Sequence, residues 1–133
     1  MIQRMNNFSQ NDIISIRDLS KDDLEKIFAK TNEIMEMPPE KRREMARGKT
    51  LGYLFFEPST RTRLSFQSAM ALIGGTSFGI ADATSSSVQK GESLADTVRI
   101  MAGYTDAIVL RHSLDGSSTV SYTHLTLPTI LLV

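Results

Sequence analysis

The 133-residue sequence contains no cysteine and no tryptophan, and only two histidines, His112 and His124. Without cysteine there is no disulfide framework and no thiol nucleophile. Two imidazoles and no thiolate argue against a zinc site. No run of about 18 apolar residues occurs, so no segment is expected to span a membrane. Residues 1–11 are polar and lack the apolar core of a signal peptide. Neither sign of charge is in excess: fifteen Lys+Arg face fifteen Asp+Glu, a net charge of +0. Non-specific nucleic-acid binders carry a basic surplus, so that class is disfavoured. With 41% apolar and 23% charged residues the composition is that of a folded domain rather than a disordered chain. The expectation is one soluble, cytoplasmic domain with no nucleic-acid or membrane partner.

The pattern along the chain alternates between two periods. Ser20 is placed to cap a helix, with Asp22 and Asp23 in its positive first turn. Leu24, Ile27, Phe28, Thr31 and Met35 then recur at helical spacing until Pro38-Pro39. Residues 40–49 are a charged stretch, read as a solvated face or a short helix. Residues 50–56 are apolar enough for a buried strand, ended by Glu57-Pro58. Residues 60–73 read as a helix with Phe66, Ala69, Met70 and Ile73 on one face, stopped by Gly74-Gly75. Residues 76–80 form a second strand and 82–91 a polar loop. Residues 92–103 form a helix with Leu94, Val98, Met101 and Ala102 inward, and 107–110 a third strand. Strands alternating with helices predict an α/β domain with a parallel sheet.

In such sheets ligands sit beyond the carboxyl ends of the strands. Three segments fall there. Ser59-Thr60-Arg61-Thr62-Arg63 opens a helix directly after a strand. Helix N-termini offer unpaired N–H groups and partial positive charge; hydroxyls and a guanidinium fork add donors. A Ser/Thr cap beside two surface arginines is the plainer reading, but five consecutive donor residues favour an anion site. The Gly spacing and Lys of a nucleotide P-loop are missing. Ser85-Ser86-Ser87-Val88-Gln89-Lys90 reads as a polar loop in which Lys90 can present a point charge to a phosphate. Arg111, just past the third strand, faces the crevice, or else is an ion-paired structural residue. Arg61, Lys90 and Arg111, with no carboxylate pair and no nucleophile, suit a small dianionic ligand.

The run Phe55-Phe56-Glu57-Pro58-Ser59-Thr60-Arg61-Thr62-Arg63-Leu64-Ser65-Phe66 closely resembles the carbamoyl-phosphate motif of the aspartate and ornithine carbamoyltransferases. Lys90-Gly91-Glu92-Ser93-Leu94-Ala95-Asp96-Thr97 and Asp106-Ala107-Ile108-Val109-Leu110-Arg111-His112 resemble the next two motifs, in order. Glu57-Pro58, Gly91 and His112 resemble the aspartate branch, though Ser113 stands where that branch has Pro. The resemblance covers about residues 13–118. It implies a three-layer α-β-α domain with a parallel sheet, incomplete at its C-terminal end. It implies that Ser59, Thr60, Arg61 and Thr62 hold the phosphate, with Arg61 and Thr62 also reaching the carbamoyl group. Arg111 would bind the same ligand. Lys90, with Ser86, would reach into a neighbouring subunit of a homotrimer. Arg63 would be structural at the helix start, and Glu57 would help join two domains. The catalytic set is then Arg61, Thr62, Lys90 and Arg111. The substrates are carbamoyl phosphate and L-aspartate, with no cofactor and no metal. Ornithine transfer and a non-catalytic anion-binding module are the alternatives.

The family pattern also includes a His-Pro-Thr-Gln segment and a second, aspartate-binding domain, and neither occurs in these 133 residues. The expectation is a partial carbamoyl-phosphate domain over residues 1–118, inactive alone. Residues 119–133 are Thr-rich and β-branched, with Pro128 inside, and resemble translated sequencing-adaptor read-through. They are expected to be a foreign tail whose apolar end, 130–133, lacks sheet neighbours and invites aggregation.

Overall fold

The computed structural model describes residues 12–81, 93–112 and, for the backbone, 130–132. Strand β1 (Thr50–Phe55) is central. It pairs in parallel with β2 (Thr76–Ile80) on one side and with β3 (Ala107–Arg111) on the other. Strand β4 (Ile130–Leu132) pairs in parallel with β3, so the sheet order is β2-β1-β3-β4. In β1 and β3 short apolar runs form strands because both of their faces are covered. In β3, Ile108, Val109 and Leu110 are all buried, as are Leu54 and Phe55 in β1.

The two faces can be told apart residue by residue. Leu54 clusters with Val98 and Met101 of a helix over Leu94–Tyr104. A side chain on Gly52 would meet that same Met101 at 2.7 Å, so only glycine allows the helix this close. Tyr53 points the other way, beneath Arg63 of a helix over Thr60–Leu72. The two helices therefore lie on opposite faces, as right-handed crossovers running in opposite directions require. This is the expected three-layer α-β-α arrangement.

In chain order the helices are α1 (Lys21–Glu36), α2 (Pro39–Arg42), α3 (Thr60–Leu72) and α4 (Leu94–Tyr104). Ser20 caps α1 as the sequence predicts, and Gly74, at φ 88°, lets the chain turn away after α3. The charged stretch after Pro38 holds the short α2 and one core residue, Ala46.

Several boundaries move. Helix α4 begins at Leu94 rather than residue 92, because Ser93 caps it. Strand β3 runs on to Arg111, which pairs with Phe55, and β1 ends at Phe55, although Phe56 N–H still donates to the Arg111 carbonyl at 2.9 Å. On α3, Ala69 is exposed while Phe66, Met70 and Ile73 are half-buried. The helical apolar pattern of α1 does not become core: Phe28 is 63% exposed and Met35 71%. No described element covers that side of the helix. The expectation that residues 130–133 lack sheet neighbours is corrected for 130–132, since the open edge of β3 offers unpaired N–H and C=O groups that this backbone fills.

Candidate functional site

From β1 the chain goes one way to β2 and returns across the sheet to β3. The carboxyl ends of β1 and β3 therefore flank the point where the strand order reverses, the usual place for a crevice. Residues 56–63 leave β1 there, and Arg111 and His112 leave β3 beside them.

The start of α3 is unusually open. Ser59 is its N-cap, yet its side chain makes no capping hydrogen bond, and no acidic residue stands in the first turn. The hydroxyl is thus not committed to the helix, which disfavours the plain-cap reading. The first-turn N–H groups have no partner within an α-helix, and the dipole adds partial positive charge. Ser59 and Thr62 are half-buried, while Thr60 and Arg61 are exposed. Among the described residues no hydrogen bond or ion pair engages the Arg61 guanidinium. Arg63 is differently placed: it lies over the Tyr53 ring, 6.0 Å from the centroid, and its Nη1 donates to Gln67 Oε1 at 3.0 Å. A structural role for Arg63 matches that placement.

Arg111, at the carboxyl end of β3, is ion-paired. Its Nε donates to Glu57 Oε1, and both side chains remain partly exposed, at 33% and 28%. Sequence reasoning singled out both residues but did not pair them, because 54 residues separate them and only the β1–β3 register joins them. An anion arriving at Arg111 meets the remaining N–H donors of the fork and competes with Glu57. The His112 ring packs on Phe56, with centroids 5.3 Å apart. Lys90 and Ser86 lie outside the described residues.

The opposite end of the sheet carries a cluster that the sequence did not announce. Lys49 Nζ donates to Asp106 Oδ1 at 2.7 Å, and Thr50 N–H donates to Asp106 Oδ2 at 2.9 Å. The Lys49 hydrogen bond, helped by that of Thr50, holds the Asp106 carboxyl below its ordinary value of 3.8. It ties the amino ends of β1 and β3 together and lies far from the crevice. Among the described residues no group of three or more His, Cys, Asp or Glu could hold a metal, and no helix is long and apolar enough to cross a membrane.

A half-site of hydroxyls, free helix N–H groups and guanidinium forks can hold a tetrahedral oxyanion and stabilise charge growing beside it. The family model described as the aspartate/ornithine carbamoyltransferase carbamoyl-P binding domain matches residues 11–130. The aspartate carbamoyltransferase catalytic subunit of Nitrosopumilus maritimus is 69% identical over 114 residues, which are 86% of this chain and 37% of that protein. That of Cenarchaeum symbiosum is 66% identical over the same shares. The catalytic subunit of M. jannaschii aspartate transcarbamoylase superimposes with a TM-score of 0.82 at 40% identity, over 92% of this chain and 41% of the other. Aspartate transcarbamoylase from Trypanosoma cruzi, solved in complex with carbamoyl phosphate, gives 0.76 at 28% identity, over 92% and 39%. The chain thus spans a little over a third of the length of these curated relatives.

Proposed function

The chain belongs to the aspartate/ornithine carbamoyltransferase family, and on that premise we propose that its β1–β3 crevice binds carbamoyl phosphate as one half of an aspartate carbamoyltransferase active site. The observation that carries this is the uncapped, acid-free start of α3, reached a few residues after Phe55, whose strand partner across the β1–β3 pair is Arg111. Ser59, Thr60, Arg61 and Thr62 hold the phosphate through hydroxyls, backbone N–H groups and the guanidinium fork. Arg61 and Thr62 also reach the carbamoyl oxygen. Arg111 turns from Glu57 to the ligand. Lys90, with Ser86, is supplied by a neighbouring subunit of a homotrimer.

The reaction moves the carbamoyl group from phosphate oxygen to the α-amino nitrogen of aspartate. The nitrogen attacks the carbonyl carbon, the carbon–oxygen bond to phosphate breaks, and the departing phosphate takes the amine proton. No covalent enzyme intermediate is required. The protein contributes orientation of two reactants and cations aimed at a centre that becomes more anionic. With N-carbamoyl-L-aspartate as product, the whole protein would act in pyrimidine biosynthesis, and we propose a cytoplasmic location for it.

The family match is to the carbamoyl-P binding domain and these residues span 37% of the N. maritimus relative, so these 133 residues on their own are expected to bind carbamoyl phosphate without turning it over. We further propose that residues 119–133 are foreign to the family domain. The family match reaches residue 130, so the gene itself is the test: sequence read onward from Leu110 should leave the present reading near Ser118 and continue into a His-Pro-Thr-Gln segment. Calorimetry with carbamoyl phosphate or phosphate should show binding by the chain that Arg61→Ala abolishes, and a colorimetric ureido assay should show no carbamoyl aspartate. Unchanged binding by Arg61→Ala would sink the site. Joining a matched second domain and offering aspartate or ornithine separates the two branches.

A further inference from the structure

Of the two arginines in the 59–63 turn, the proposed site leaves Arg63 without a ligand. The Arg63 backbone N–H donates to the Ser59 carbonyl at 3.0 Å, closing the first turn of α3 around residues 60–62. Its guanidinium lies over Tyr53 on β1 and forks to Gln67 one turn later. Tyr53 is set edge-on against Phe55, with centroids 6.4 Å apart and planes at 67°. Phe55 is buried at the end of β1, in register with Arg111. A line of contacts therefore runs from the buried strand end through two rings into the helix turn. Residues two apart on a helix face different ways, so seating Arg63 on the sheet directs Arg61 elsewhere.

We propose that Arg63 is a positioning residue. Stacked on Tyr53, it sets the angle and depth at which the first turn of α3 meets the end of β1, and so keeps residues 59–62 in anion-binding geometry without touching the anion. The requirement is for a flat guanidinium: it lies on a ring and reaches Gln67 at once, which a lysine ammonium does not reproduce. Tyr53 thereby becomes part of the site's support. The inference rests on the reading of residues 59–62 as a phosphate-holding turn.

The test uses the full chain, inorganic phosphate as the probe, and calorimetry beside thermal unfolding. Arg63→Lys and Tyr53→Leu should each weaken phosphate binding about two- to fivefold, the range an exposed to partly buried cation–ring contact supplies. The double variant should be no weaker than the worse single one, and Tyr53→Phe should bind like the parent. Neither Arg63→Lys nor Tyr53→Leu removes a charge, so the salt dependence of binding should not change. Where Tyr53→Leu does not fold, Gln67→Leu combined with Arg63→Lys supplies the same cycle. Lower melting temperature with unchanged affinity marks a merely structural role and overturns the proposal. Loss in Arg63→Lys but not in Tyr53→Leu or Gln67→Leu marks direct ligation and also overturns it. Arg61→Ala keeps the two layers apart. Binding that depends on Arg61 but ignores residues 53, 63 and 67 defeats the positioning role alone. Binding absent in the parent, or indifferent to Arg61, defeats the site and the positioning role together.

Discussion

Helices α1 and α4 begin with a serine followed three residues later by an aspartate. Ser20 Oγ accepts from Asp23 N–H at 3.1 Å, while the Asp23 carboxylate accepts from Ser20 N–H at 3.0 Å. Ser93 Oγ accepts from Asp96 N–H at 3.1 Å and donates to the Asp96 carboxylate at 2.6 Å. Helix α3 also begins with a serine, Ser59, but three residues later stands Thr62, and the serine makes no side-chain cap. Two helices thus neutralise their own positive ends, and the third leaves its donors for something else. The open one points at the crevice between β1 and β3. What marks the site is an omission: an acid is missing at the one place where a capping box would have closed it.

Putting that acid back should have the largest effect. Thr62→Asp is expected to let α3 cap itself, raise stability by about 0.5–1 kcal/mol, and weaken phosphate binding at least tenfold. Thermal unfolding and calorimetry on one variant read both; retained binding would break the comparison. Next, Ser20→Ala should cost about 1 kcal/mol in denaturant unfolding, whereas Ser59→Ala should cost little stability but weaken phosphate binding. Equal stability losses would mean that Ser59 is an ordinary cap.

Glu57→Gln sharpens the contrast from the other strand end. With the carboxylate gone, Arg111 is released without competition, and phosphate should bind about two- to threefold more tightly at low salt, less so at high salt. Weaker binding would mean that Glu57 holds Arg111 where the anion needs it. The smallest effect is expected at Asp106, whose polar groups are already satisfied. Its carboxyl is held below 3.8 in the folded chain, so its contribution is present above the unfolded value and is lost as pH falls through the lower folded one. Parent and Asp106→Asn should therefore differ in unfolding midpoint near neutrality and begin to converge only as pH falls below 3.8, with equal phosphate affinity at neutral pH.

What the sequence disclosed and what it withheld divide along a physical line. Short-range chemistry was legible. The apolar run through Leu54 and Phe55 bounded by Glu57-Pro58, the Ser20 cap, the Gly74 turn and the donor run at 59–63 all declare themselves within a few residues. Long-range pairing was not. Glu57 and Arg111, and Lys49 and Asp106, meet only because the parallel β1–β3 register brings them together, Tyr53 and Arg63 meet only because α3 folds back over β1, and neither member of a pair names the other. The apolar face of α1 was visible, but whether anything covers it depends on elements that local pattern does not describe. Ile130–Leu132 joined the sheet for a related reason: an open strand edge accepts backbone, and the composition of the tail did not say whose edge would be near.

The central place of β1 also has a consequence in time. Pairing β1 with β2 closes a loop of 26 residues, from Thr50 to Thr76, whereas pairing it with β3 closes one of 56, from Thr50 to Asp106. Doubling a loop adds roughly 0.6 kcal/mol of closure entropy, and non-local contacts slow the search for the native state. The β1–α3–β2 unit is therefore expected to assemble first. A nascent chain would then own its donor turn before Arg111 arrives, and phosphate in the surrounding solvent would meet half a grip before the fold supplies the other half.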